Sequence, residues 1–189
     1  MLFALLLLLA AVPAAQAPDY VALFERGLTY EAFFDQIDGR RKSWTANEAA
    51  AEVPADVAAQ ARALPQAWRI LAVAEDRCSD SAASLPYVAK IAAAAPDRLS
   101  LRIVNSRAGR AVMEAHRTPD GRAATPTLVF ISETGEARAW IERPGALVEW
   151  INDQKARDPK FDLLAGKTRW YADDAGRSTL ADILSLLER

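Results

Sequence analysis

The sequence predicts an α/β protein: a four-stranded mixed sheet, with a helical extension before it and a helical tail after it. Three observations carry this. Apolar runs of strand length alternate with helical periodicity between Arg69 and Ile151. Turn formers separate them, as at Thr118-Pro119-Asp120-Gly121 and Glu133-Thr134-Gly135-Glu136. The chain has 189 residues, 51% hydrophobic and 25% charged, long enough to bury a core without metal or disulfide staples.

Thr29 reads as an N-cap, with Tyr30, Phe33, Phe34 and Ile37 on one helical face and Gly39 ending the helix. Arg40-Arg41-Lys42-Ser43 reads as a loop. A second helical region runs from about Asn47 to Leu64, interrupted near Pro54. Arg69 to Ala74 is a buried strand. Ser81 to Ala95 is helical, with Leu85, Val88, Ile91 and Ala92 inward. Leu99 to Val104 is the second strand, and Gly109 to Arg117 a short helix. Thr127 to Ile131, β-branched and aromatic, is the third strand, and a hairpin joins it to Ala137–Ile141. A helix after Pro144-Gly145 carries Leu147, Trp150 and Ile151. The order is β-α-β-α-β-β-α: a right-handed parallel crossover, then an antiparallel hairpin. Beyond Asp158, Ser178 is expected to cap a last amphipathic helix whose Leu180, Ile183, Leu184 and Leu187 pack back on the domain.

Leu2 to Val12 is an apolar run followed by small residues, the pattern of a secretory signal. It is about half the ~20 residues of a spanning helix, so stable membrane insertion is not expected. The expected division is a signal at 1–17, a helical extension at 18–65, the α/β domain at 66–157 and a tail at 158–189, in a periplasmic or secreted protein. A net charge of −2 with no concentrated basic face excludes nucleic acid as a partner. One cysteine and one histidine cannot build a zinc site or an internal disulfide, so no metal is expected. No other cofactor is implied, and a monomer is expected.

Cys78 follows the first strand and precedes the next helix. Unpaired amides and the dipole at a helix N-terminus favour an anion by about 0.3–1 kcal/mol, and the thiolate is the nucleophilic form of cysteine. Asp80, with Glu75 and Asp76, opposes it by roughly 1–3 kcal/mol per charge at about 6 Å, while Arg77 offsets part of this. A thiol of moderate reactivity is expected. Pro126, just before the third strand, suits a strand start because it cannot donate a ladder bond. His116 would be the partner in a Cys–His hydrolase, but no oxyanion or acid-partner signature accompanies it. Arg143 is expected to pair with a nearby acid, and Trp140, Trp150, Trp170 and Tyr171 to serve in packing.

Leu71 through Ser81, then Pro86, then Gly121-Arg122-Ala123-Ala124-Thr125-Pro126-Thr127, with Glu142-Arg143-Pro144 beyond, resemble the thioredoxin superfamily. The chain is similar to a bacterial thioredoxin-like group with Cys-x-Asp-Ser in place of Cys-x-x-Cys. That resemblance implies a thioredoxin-like fold, a cis Pro126 with Thr125 facing Cys78, and a substrate groove of Thr125, Pro126 and Arg77. Arg77 stands where thioredoxins carry tryptophan, and Ser81 where they carry the resolving cysteine. Ser81 cannot resolve a mixed disulfide, though its side chain is placed to hydrogen-bond a thiolate one helical turn away. Cys78, Ser81 and Asp80 are therefore the candidate catalytic residues. The implied function is single-cysteine thiol–disulfide exchange with proteins or small thiols and disulfides. The alternative is a non-catalytic protein that binds peptides or partners beside Pro126.

Overall fold

The computed structural model describes residues 17–188. The expected signal lies outside the described residues, apart from Ala17. Four strands form one sheet: β1 (Trp68–Val73), β2 (Leu99–Val104), β3 (Thr127–Ser132) and β4 (Ala137–Ile141), in the order β2-β1-β3-β4. β1 runs parallel to β2 and antiparallel to β3, and β3 is antiparallel to β4. This is the predicted crossover followed by a hairpin.

The two central strands are apolar because both faces are covered. Ile70 and Ala72 of β1, with Leu128 and Phe130 of β3, join one core; Leu71 and Val73, with Val129 and Ile131, join the other. That is the period of two expected of a strand. On the larger face lie α2 (Tyr30–Asp35), α3 (Arg41–Ala50), α4 (Ala55–Arg62), α5 (Ser79–Ala94) and α9 (Arg177–Leu187). The smaller face is covered by α1 (Tyr20–Arg26) and α6 (Arg110–Ala115), through Phe24, Val112 and Met113. α7 (Gly145–Arg157) follows β4, and α8 (Leu163–Asp174) packs beside it.

Several boundaries differ from the sequence expectation. Residues 41–43 are the first turn of α3, not a loop, and Gly39 does not end α2, which stops at Asp35. Arg40, at φ 54°, supplies the turn into α3 instead. Gly39 is needed for close approach: a Cβ there would lie 2.4 Å from the Arg77 side chain. Thr29 does cap α2, accepting from the Ala32 amide at 3.2 Å. Ser178 is not the cap of α9. Gly176, at φ 75°, turns the chain there, and Ser178 bonds Asp174 of the preceding helix at 2.6 Å. The segment holding Trp170 and Tyr171 is itself a helix, α8, whose cap Asp162 accepts from the Leu164 and Ala165 amides.

Proline within a helix leaves the carbonyl four residues back without its partner. In α5 that proline is Pro86 and the orphaned carbonyl belongs to Ala82. Asn47 of α3 donates to it at 2.8 Å, so the break in α5 becomes the point where α3 is fastened.

Candidate functional site

β1 delivers the chain to the loop Glu75-Asp76-Arg77, and α5 starts immediately after. Cys78 is the N-cap, with extended backbone and its carbonyl accepting from Ala82 N at 3.0 Å. A cap side chain faces the free amides of the first turn. The Ser81 amide therefore donates to Sγ at 3.4 Å, and the thiol donates to the Thr125 carbonyl at 3.1 Å. Cys78 and Thr125 are half-buried, and Pro126 is buried. The Thr125–Pro126 peptide is cis, and the pairing of Val73 with Thr127 aligns this turn with the end of β1. Pro126 returns a carbonyl to the Glu142 amide at 2.7 Å. Cys78, Thr125 and Pro126 thus meet at one end of the sheet.

Ser81 differs from expectation. Its hydroxyl makes no hydrogen bond, to Cys78 or to any other described group, and the residue is fully buried. Its backbone amide fills that role, because first-turn amides point toward the helix N-terminus while this side chain points into the interior.

Asp80 also differs. A charge opposing the thiolate was expected; the residue is only 3% exposed and its charge is paired. Its carboxylate accepts from Lys167, from Tyr171 at 2.9 Å and from Arg143 at 3.2 Å. Arg143 bridges to Glu142 at 2.5 Å, Glu142 takes both ends of Arg122 at 3.0 and 2.9 Å, and Arg122 reaches Asp120 at 2.7 Å. Three acids and three bases form one continuous array. Glu142 sits in it at φ 65°, a conformation costly for a non-glycine residue. The hydrogen bond from Arg122 holds the Asp120 carboxyl down at about 2, and the bond to Glu142 keeps Arg122 firmly protonated. Burial, then the nearby Asp80 charge, pushes the Tyr171 phenol up, so it stays a donor.

The remaining acids near Cys78 are engaged by amides. Glu75 accepts from Ser106 N at 2.8 Å, and Asp76 from Gly39 N at 2.6 Å. Trp44 Nε1 donates to the Asp76 carbonyl at 2.8 Å, and Arg40 Nε to that of Arg77 at 2.7 Å. The N-terminal extension therefore holds the loop that presents the cysteine. Arg77 itself is exposed. His116 is engaged elsewhere: its Nε2 meets the Tyr20 hydroxyl at 2.8 Å, and burial lowers its basicity.

Lys167 is the neighbour that sequence reasoning missed; Tyr171 was expected only to pack, and Arg122 and Glu142 stood only within the resembling motifs, with no role. The i, i+4 spacing of Lys167 and Tyr171 marks a shared helix face, but nothing local marks what that face meets. Among the described residues, no helix is long and apolar enough to cross a membrane.

No curated protein matches the chain. Among solved structures, it is similar to a protein of unknown function from Pseudomonas aeruginosa, 19% identical over 89% of this chain and 96% of that one, with TM-score 0.69. It is similar also to an HIV epitope-scaffold, 17% identical over 89% of this chain and 97% of that one, with TM-score 0.68. These likenesses concern the fold alone. A family model described as Thioredoxin matches residues 27–157. That match takes in most of the extension as well as the sheet, Cys78 and Pro126, and the chain belongs to the thioredoxin superfamily.

Proposed function

We propose that this protein carries out thiol–disulfide exchange through one thiol. The Cys78 thiolate attacks a disulfide R–S–S–R′, forming the Cys78–S–S–R bond and releasing R′S⁻. A second, external thiolate R″S⁻ attacks the R sulfur, restores the Cys78 thiolate and leaves as R–S–S–R″. Oxidation states balance, and no internal second thiol is required. The observation that carries this reading is the only cysteine at the N-cap of α5, half-buried, receiving an amide and facing the turn at Pro126.

Thr125, Pro126 and Arg77 border the thiol and are the proposed substrate contacts. A protein substrate or a small thiol such as glutathione suits the reaction. We place it in the periplasm or outside the cell, supported by the apolar run Leu2–Val12. The competing reading, a binding protein that keeps the scaffold without turnover, is favoured by the serine at position 81.

The test is mixed-disulfide trapping in the native host, followed by release with glutathione. Wild type should capture partners that Cys78→Ser does not, and glutathione should release them repeatedly. Capture without release supports a thiol-bound but non-catalytic protein. Partners retained equally by Cys78→Ser would favour the binding reading and sink the exchange reading.

A further inference from the structure

Lys167 is distant in sequence from Cys78, yet it ends beneath the helix that carries it. Lys167 is 7% exposed, and its ammonium contacts Asp80, two residues from the thiol. Buried ammonium and carboxylate groups are tolerated when paired, and costly when either partner is lost. The contact also joins two elements that otherwise barely touch. α8 packs on α7, while its reach to α5 runs through the side chains Lys167 and Tyr171, both ending on Asp80.

We infer that Lys167 of the tail helix is a positioning residue for Cys78: by neutralising Asp80 it keeps a negative charge at the helix start from suppressing thiolate formation. This rests on the proposal that Cys78 works as a thiolate. Asp80 is faced by Arg143 from the β4–α7 corner and by Lys167 and Tyr171 from α8. Cys78 is flanked by Glu75, Asp76 and Arg77 on its own loop, with Arg40 bonded to the Arg77 carbonyl; on the Thr125 side it meets a carbonyl. Glu75 and Asp76 are held by amides and Arg143 is shared with Glu142, so the Lys167–Asp80 pair is the contact whose loss alters charge closest to the helix start.

The experiment is the pH–rate profile for alkylation of Cys78 by iodoacetamide in the full chain. Alkylation needs no disulfide substrate, so a protein that never turns over still gives a profile. Lys167→Met should move the profile to higher pH and slow alkylation at pH 7 by about three- to tenfold, the effect of one uncompensated charge at short range. Lys167→Arg should restore the wild-type profile. Tyr171→Phe, which removes a donor without a charge, should stay within about twofold. In the double variant Asp80→Asn/Lys167→Met the charge to be neutralised is gone, and alkylation should be at least as fast as in wild type. Circular dichroism confirms folding of each variant, and Lys167→Gln replaces Lys167→Met if the latter does not fold. A double variant as slow as the single one, or an unmoved profile in the single one, overturns the inference. A merely structural role for Lys167 predicts faster alkylation through a loosened site, at an unchanged midpoint.

Discussion

At the scale of single residues, Ser81 and Cys78 divide one role between them. The Ser81 amide meets the sulfur and its hydroxyl meets nothing, at zero exposure. A buried hydroxyl without a partner costs about 1–3 kcal/mol. Ser81→Ala should therefore leave stability unchanged or raise it by up to about 1 kcal/mol in urea unfolding. It should also leave Cys78 alkylation unchanged, because the amide remains. Ser81→Cys is the more informative change. It creates a Cys-x-x-Cys pair one helical turn apart, which should close to an internal disulfide and give insulin reduction of which wild type should show little. Asp80 is best left in place in that variant. Its removal would strand Lys167 and Arg143, and breaking a buried pair costs about 3–5 kcal/mol. Failure of Ser81→Cys to oxidise internally would count against the placement of Cys78 at the helix start.

At the scale of elements, two contacts between helices carry predictions. Asn47 supplies the donor that Pro86 cannot, and so joins α3 to α5. Asn47→Leu should cost about 1–3 kcal/mol, since the Ala82 carbonyl would lose its partner. Combining it with Pro86→Ala, which restores the helix's own donor, should recover much of the loss. The double-mutant cycle measures that coupling. On the other face, Tyr20 of α1 meets His116, the residue that follows α6. Burial lowers the His116 pKa in the folded protein below its unfolded value near 6.5. The unfolded chain then binds more protons as pH falls. The stability His116 contributes is full above about pH 6.5 and declines as pH drops toward its lowered folded value. Acidification from pH 7.5 to 5.5 should thus lower the melting temperature of wild type more than that of His116→Gln. Equal shifts in the two proteins would show that this contact does not sense pH.

At the scale of the whole molecule, the chain surrounds the cysteine from both ends. The extension contributes Gly39, Arg40 and Trp44 to the loop before Cys78, and the tail contributes Lys167 and Tyr171 to the turn after it. α9 supports this arrangement from the core, with Leu180, Ile183, Leu184 and Leu187 buried. Ile183 is fully buried, so Ile183→Ala should cost about 2–5 kcal/mol, read as a lowered urea midpoint with an unchanged slope. A loss under 0.5 kcal/mol would show that the last helix is not part of the cooperative core.

Most of the sheet was legible in the sequence because its cause is local. β3 spells its double burial in consecutive apolar residues, Leu128 to Ile131, and Leu99–Val104 alternates over most of its length. Cys78 at a helix start, Pro126 at a strand start and the inward face of the last helix were legible for the same reason. The start of α3 was not, since four polar residues read as loop until Arg40 turns the chain and Trp44 buries itself against the site. Nor was the environment of Asp80. Its charge could be read, but its neutralisation comes from residues 63 and 87 positions away, and no local pattern records a partner chosen by packing. The sequence by itself determined where a thiol would sit and that it has no partner thiol within this sequence. Tertiary structure alone decided which charges neutralise Asp80 beside that thiol, because Arg143 and Lys167 reach it only when the β4–α7 corner and the tail pack against the helix that bears it.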